Sequence, residues 1–351
     1  MDKRLLYIYS GSRIEYRENH RNLPDTQLFG LNHLHIFGLK ADSKEFLDLC
    51  GYRLLNQILS FRIKHALLYF LTPKYSLVFG ASLIYQMPLK NLFNFKTRYI
   101  LLNININQIL SKYKKNRFLY GILKKNILKM DGIVCLSQYQ RRGLIERHGI
   151  PEKMITYIPL GVDINYHQYN PDSKRDDFIL SVGRDKGRDY KTLIDSAYLI
   201  PETKFIIVCS PHNIKNIERM PKNVHIFYDI SPSKLKELYQ RAKIMVISTV
   251  GDDNLKGMDC SGQTVLLDSM ANGLPVIATK KNYLMDYGLH NQEIIITRTS
   301  NAKELANAII DLLASPAKRT QMAESARART EKEFNTYRMA EHLAIYFKQF
   351  L

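Results

Sequence analysis

Short apolar runs alternate with helix-like stretches along the whole chain, and this alternation constrains the fold more than any other feature. "RLLYIYS", "YSLVFGA", "RYILLNI" and "GIVCLS" read as buried strands in the first half, and "GIPEKMITYIPLGVD" adds a turn, a strand and a glycine-containing connection. After a polar stretch at 165–177 a second series begins with "DFILSVG", "KFIIVCS", "VHIFYD", "IMVIST", "PVIAT" and "EIIIT". Continuous apolar runs, rather than alternating ones, mark strands buried on both faces, as in parallel sheets covered by helices. Helices are expected over 47–71, over the basic segment 108–130, after Ser231-Pro232, and in three closing segments at 302–314, 316–333 and 336–350. The predicted class is α/β, in two doubly wound halves meeting at a hinge near 149–163. Ligands of such sheets bind where strands run into helices.

The chain has 351 residues, enough for about two domains. Its four cysteines are far apart and form no CxxC pair, which excludes a disulfide framework and a zinc site and fits a reducing, cytoplasmic setting. "MDKRLLYIYSGSR" returns to charge too soon for a signal peptide, and no apolar run reaches bilayer-spanning length. Net charge is +18, of which residues 1–160 carry +15, with 25 Lys+Arg against 10 Asp+Glu. Two halves so different point to two kinds of partner. No nucleic-acid-binding motif is present, which argues against that class of partner.

Three loops carry the chemistry. In "DCSGQTVLLDSMANGLPVIAT" a polar loop enters an apolar helix that contains one carboxylate, Asp268. Ser261 is the expected N-cap, and Gly262 lets a ligand approach the backbone. A helix start suits a phosphate. Thr264 and Asp268, four apart, share a face and would hold phosphate and ribose hydroxyls, unless Asp268 merely sits on a solvated edge. In "SVGRDKGRDYKTLIDSA" a strand ends at Gly183 and is followed by Arg184, Lys186 and Arg188, cations suited to a diphosphate. The third is "CLSQYQRRGLIERHGIPEKMITYIPLGVD", which ends at the hinge.

In this order the three pieces resemble the retaining glycosyltransferases of family four, which have the GT-B fold. The resemblance is close over about 130–350 and weaker before it. Residues 136–163 match the family's stretch ending in Pro-x-Gly-Val-Asp, "SVGR" matches its Gly-Arg, and "DSMANGLPVIAT" matches its segment ending in Pro-Val-Ile-Ala-Thr. "SGQTVLLD" is similar to a subgroup of the family. The resemblance implies Rossmann-like domains over 1–163 (acceptor side) and 164–333 (nucleotide-sugar side) facing a cleft, with 334–351 returning to the first.

It also implies transfer of a hexose-type sugar, with retention, from a UDP- or GDP-linked donor to a saccharide or lipid-linked acceptor in surface polysaccharide or glycoconjugate synthesis. The nucleotide sugar is a co-substrate, and no cofactor or metal is expected. Arg184, a second cation at Lys186 or Arg188 (spacing to Leu193 favours Arg188), and Asp268 fall at catalytic positions. Gly183, Ser261, Gly262, Gln263, Thr264, Cys260 and Asp229 fall on the donor side. The family's first Glu aligns with Cys260, with Asp259 adjacent, and its second is Asp268.

Acceptor-side candidates are His20, Asp25 and Thr26 in the first long loop and Asn105 after a strand; His33 and His35 are assigned to the following helix. The aromatic, basic segment 107–131 has seven Lys or Arg against one acid. It reads either as a helix lying on an anionic membrane surface or as one packed on the sheet with a solvated face. Two other readings stay open on this fold: a non-catalytic protein binding nucleotide sugars or polyanions, and a sugar-nucleotide epimerase.

Overall fold

The computed structural model describes residues 4–11, 13, 15–16, 22–45, 61–93, 95–254, 257 and 259–351. The chain divides into two compact units. One comprises 1–20, 25–161 and 336–351, the other 21–24 and 162–335.

The first unit is built on a six-stranded parallel sheet of β1 (Leu5–Tyr9), β2 (Ala41–Glu45), β3 (Leu77–Gly80), β4 (Arg98–Asn103), β5 (Gly132–Cys135) and β6 (Ile155–Tyr157), in the order β2-β1-β3-β4-β5-β6. Helix α1 (Phe61–Leu67) lies against the 3-10 turn Leu68–Lys74 and α2 (Met87–Phe93). Leu6, Ile8, Val78, Tyr99, Leu101 and Ile133 face one side of the sheet, where they form a core with that turn, α2, α3 (Ile106–Tyr113), α4 (Arg117–Ile127) and the segment after α5 (Gln138–Arg142). Side chains alternate across a strand, so Tyr7 and Phe79 point the other way. There they meet Phe347 of the C-terminal helix Thr336–Lys348, with ring centroids 6.3 and 5.1 Å away.

No strand was expected at β2, because "ADSKE" has no apolar run. It lies at the edge of the sheet, where half of its surface is not buried against a neighbour. The basic segment is two helices, not one. The first ends at Tyr113 with Lys114 as its C-cap, and Asn116 starts the second by accepting a hydrogen bond from the Leu119 N–H. Of the helix expected over 47–71, only α1 and the 3-10 turn lie within the described residues.

Two buried histidines give this unit a pH dependence. Burial pushes His65 down to about 4. Burial, with Arg147, Lys114 and Lys124 nearby, pushes His148 down to about 4 as well. The unfolded chain protonates these rings near pH ~6.5 and the folded one does not, so stability is full above that pH and falls as the pH drops toward 4. The expected loss is up to about 3 kcal/mol per histidine. Urea midpoints measured between pH 7 and 4 test this. His148→Gln should flatten the curve, and an unchanged slope in that variant would refute the assignment.

The second unit holds β7 (Phe178–Val182), β8 (Lys204–Val208), β9 (Val224–Phe227), β10 (Ile244–Ile247), β11 (Val276–Thr279) and β12 (Ile294–Thr297), all parallel, in the order β12-β11-β10-β7-β8-β9. Ile179, Phe205, Ile207, Val246 and Ile277 pack against α6 (Tyr190–Leu199) on one face. Helices α7 (Pro232–Arg241), α8 (Gln263–Ala271), α9 (Ala302–Ala314) and α10 (Pro316–Glu333) complete the layers, with α9 joining the same core and α8 against β10, β11 and α10. The strand order reverses between β7 and β10, with β8 and β9 added on one side and β11 and β12 on the other, which opens a crevice at their C-terminal ends.

Candidate functional site

The loops after β7 and β10 meet at that crevice and are joined backbone to backbone. Val250 N–H donates to Gly187 O (2.9 Å) and Asp189 N–H to Ser248 O (3.0 Å). The Ser248 hydroxyl donates to Asp189 O (2.8 Å), and Arg188 bridges to Thr249. This pairing carries the Arg188 guanidinium inward, where its side chain is 2% exposed. Asp185 orients it, accepting from Arg188 Nε at 2.9 Å and from the Gly187 N–H at 3.0 Å. Burial alone would lower the Arg188 pKa, but Tyr190, Asp185 and Tyr283 outweigh it and hold the group charged.

The guanidinium lies against two glycines. A Cβ on Gly183 would stand 2.0 Å from Arg188 Nε. A Cβ on Gly262 would stand 3.4 Å from Arg188 Nη1 and 2.6 Å from Ile247 Cγ2. Gly262 is also the N-cap of α8, at φ 89° in the left-handed region that favours glycine, and among the described residues no side chain caps the helix. Arg188 Nη1 is buried with no hydrogen-bond partner among the described residues. A buried cationic donor beside an uncapped helix start is the arrangement that receives an anion.

The structure places two residues of this helix start otherwise than expected. Ser261 is not the N-cap; it is buried behind Gly262, and its carbonyl accepts from the Tyr283 hydroxyl at 3.0 Å. Gln263 does not face a ligand through its amide nitrogen, which donates to the Tyr287 hydroxyl at 2.7 Å in the interior. The neighbouring acidic loop is also engaged, since Asp252 binds Lys281 Nζ at 3.1 Å and the Asn282 N–H at 2.8 Å.

The other cations of the β7 loop stand outside. Arg184 is exposed and pairs with Asp229 at 3.2 Å, and Lys186 is exposed. Asp229 follows β9 with φ 47°. The loop after β8 is tied to the same place, because Asn213 donates to Asp185 O at 2.9 Å. Thr264 is half-buried on the first turn of α8. Cys260 is half-buried and forms no disulfide among the described residues.

One turn beyond Thr264, Asp268 Oδ1 lies 3.2 Å from His167 Nε2. His167 is buried, and Asn272 Nδ2 lies 2.9 Å from its Nδ1. The amide nitrogen can only donate, so Nδ1 accepts and Nε2 carries the proton on the Asp268 side. Neither His167 nor Asp185 was singled out from the sequence. Asp185 had a signal, the i,i+3 spacing to Arg188. His167 had none, since its partner is about a hundred residues away.

In the first unit, Asp25 and Thr26 are buried, and Asp25 Oδ2 lies 2.8 Å from His33 Nε2. His33 and His35 lie on the 3-10 helix Leu31–Phe37. Asn105 is the N-cap of α3 without a side-chain bond; Asn103 instead accepts from the Ile106 N–H at 2.9 Å. His20 lies outside the described residues. No group of three or more metal-binding side chains occurs among the described residues.

Residues 163–329 match the family model of glycosyl transferases group 1. No curated protein matches the sequence. Among solved structures, HepE of Anabaena in complex with UDP-glucose is similar over 99% of both chains, with a TM-score of 0.74 and 16% identity. Sucrose-phosphate synthase of Thermosynechococcus elongatus is similar over 99% of this chain and 98% of its own, at 0.73 and 18%. A glycosyltransferase of Rickettsia africae is similar over 100% and 99%, at 0.68 and 14%. The fold is thus GT-B, two Rossmann-like domains, and the likeness to glycosyl transferases group 1 resides in residues 163–329, the half that carries Arg188, α8 and Asp268.

Proposed function

We propose that the chain transfers a hexose-type sugar, with retention, from a UDP- or GDP-linked donor to a saccharide or lipid-linked acceptor. It would act at the cytoplasmic face of a membrane, in surface polysaccharide or glycoconjugate synthesis. The observation that carries this reading is Arg188 Nη1, buried at the open start of α8 and without a hydrogen-bond partner among the described residues. It is supported by the bound UDP-glucose of HepE, a protein of the same fold.

In this reading Arg188 and the α8 amides take up the charge that builds on the leaving diphosphate, and Arg184 closes on it from the rim. The leaving phosphate helps take the acceptor's proton. Protein cations fill the role a metal would otherwise fill, so EDTA is expected to leave the rate unchanged. Asp268, beside His167, accepts the ribose hydroxyls. Acceptor contacts fall to the first unit, where Asp25, Thr26 and Asn105 remain the candidates together with His20.

Product formation across a panel of nucleotide sugars tests the reaction, and calorimetry tests the site. Asp268→Ala should weaken UDP or GDP binding about tenfold, the loss of a charge-assisted hydrogen bond. Unchanged affinity would remove Asp268 from the nucleotide site.

A further inference from the structure

Between Asp48 and Asp131 the sequence has fourteen Lys or Arg and not one acidic residue. Protein surfaces ordinarily intersperse the two signs, and a long single-sign field serves to attract a partner of opposite charge. The described part of this segment comprises strands β3 and β4 and, between and after them, helices of the layer on one face of the first unit's sheet. Its inner side is core, with Leu68, Tyr69, Met87, Leu110 and Ile127 buried.

Its outer side is not purely polar. Leu92 on α2 and Phe118 on α4 are each 75% exposed, and Phe70, Phe93 and Ile122 are exposed as well. The rings of Phe70 and Phe93 meet edge to face at 5.3 Å, and Phe93 leads at 6.3 Å to Phe95, which stacks on buried Tyr69 at 4.9 Å. The patch is therefore rooted in the core. Lys90 of α2 donates to Lys129 O at 3.4 Å and pairs with Asp131 at 3.3 Å, joining α2 to the end of α4.

We propose that this layer is a docking face for an anionic lipid bilayer, with Phe70, Leu92 and Phe93 inserted among the headgroups and the surrounding lysines on lipid phosphates. It rests on the sugar-transfer reading only for its purpose, since a lipid-linked acceptor is presented at such a surface. Cations without acids match an anionic surface, and exposed aromatic and leucine side chains at their centre match the headgroup–acyl boundary. A nucleic acid would satisfy the cations but leave Leu92 and Phe93 in water. No helix among the described residues is long and apolar enough to cross a membrane, so these residues would lie on the bilayer. The contact also differs from the segment 107–131 read from the sequence: its apolar centre is on α2 and the preceding 3-10 turn, and α4 is its flank.

Co-sedimentation with phosphatidylglycerol–phosphatidylcholine vesicles, and with phosphatidylcholine alone, tests this. Wild type should bind the anionic vesicles, weaken as salt rises, and bind the neutral ones far less. Leu92→Ser with Phe93→Ser leaves the charge unchanged and should lower anionic-vesicle binding about tenfold or more. Phe118→Ser, at a position as exposed as Leu92, is the second variant should the first lose its thermal transition, and a threefold loss or more there would support the proposal. UDP binding measured on the same samples reports on the donor site separately. No binding to anionic vesicles, or binding that none of these apolar substitutions weakens, would overturn the proposal; so would displacement by heparin at unchanged affinity in the serine variants.

Discussion

Arg188→Ala is expected to lower sugar transfer at saturating donor about a hundredfold or more, the effect of removing one built-in donor from a site of developing negative charge. The guanidinium is buried, charged and oriented by Asp185, so the site needs no rearrangement when the diphosphate leaves. Arg184, exposed and already paired with Asp229, should matter less, with about a tenfold loss in Arg184→Ala. Arg188→Lys should recover little, because a lysine keeps the charge but not the planar fork that meets both Asp185 and an anion. Steady-state rates of transfer, with thermal melts as the control for folding, decide the matter. Rates within a factor of two of wild type in Arg188→Ala would move the diphosphate elsewhere.

Phe347→Ala should destabilise the first unit by about 3–5 kcal/mol. Phe347 is fully buried, and its ring meets those of Tyr7 and Phe79 on the sheet face opposite α1 to α4. The cavity would open beneath rigid strands that cannot collapse into it. Urea unfolding should show the loss, while UDP affinity under native conditions stays unchanged because Arg188, α8 and Asp268 belong to the other unit. A loss below about 1 kcal/mol would mean that the C-terminal helix contributes little to this core.

The central strands were legible in the sequence because a strand covered on both faces must be apolar along its whole length, as "LLYIY", "FILSV" and "VIAT" are. The same logic hid β2, which sits at an edge and carries "ADSKE". The order of glycines, cations and the lone carboxylate was enough to locate the strand-to-helix loops of the second half. Spacing favoured Arg188 over Lys186, but it could not say which of Arg184, Lys186 and Arg188, within five residues of one another, is buried. Their environments differ only because the β7 loop pairs with the β10 loop some sixty residues on, which turns Arg188 under α8 and leaves the other two in water. Gln263 and Asp268 behave alike in this respect. Their places on one helix follow from local spacing, but whether a side chain meets Tyr287, His167 or open space is set by elements that only tertiary packing brings within reach.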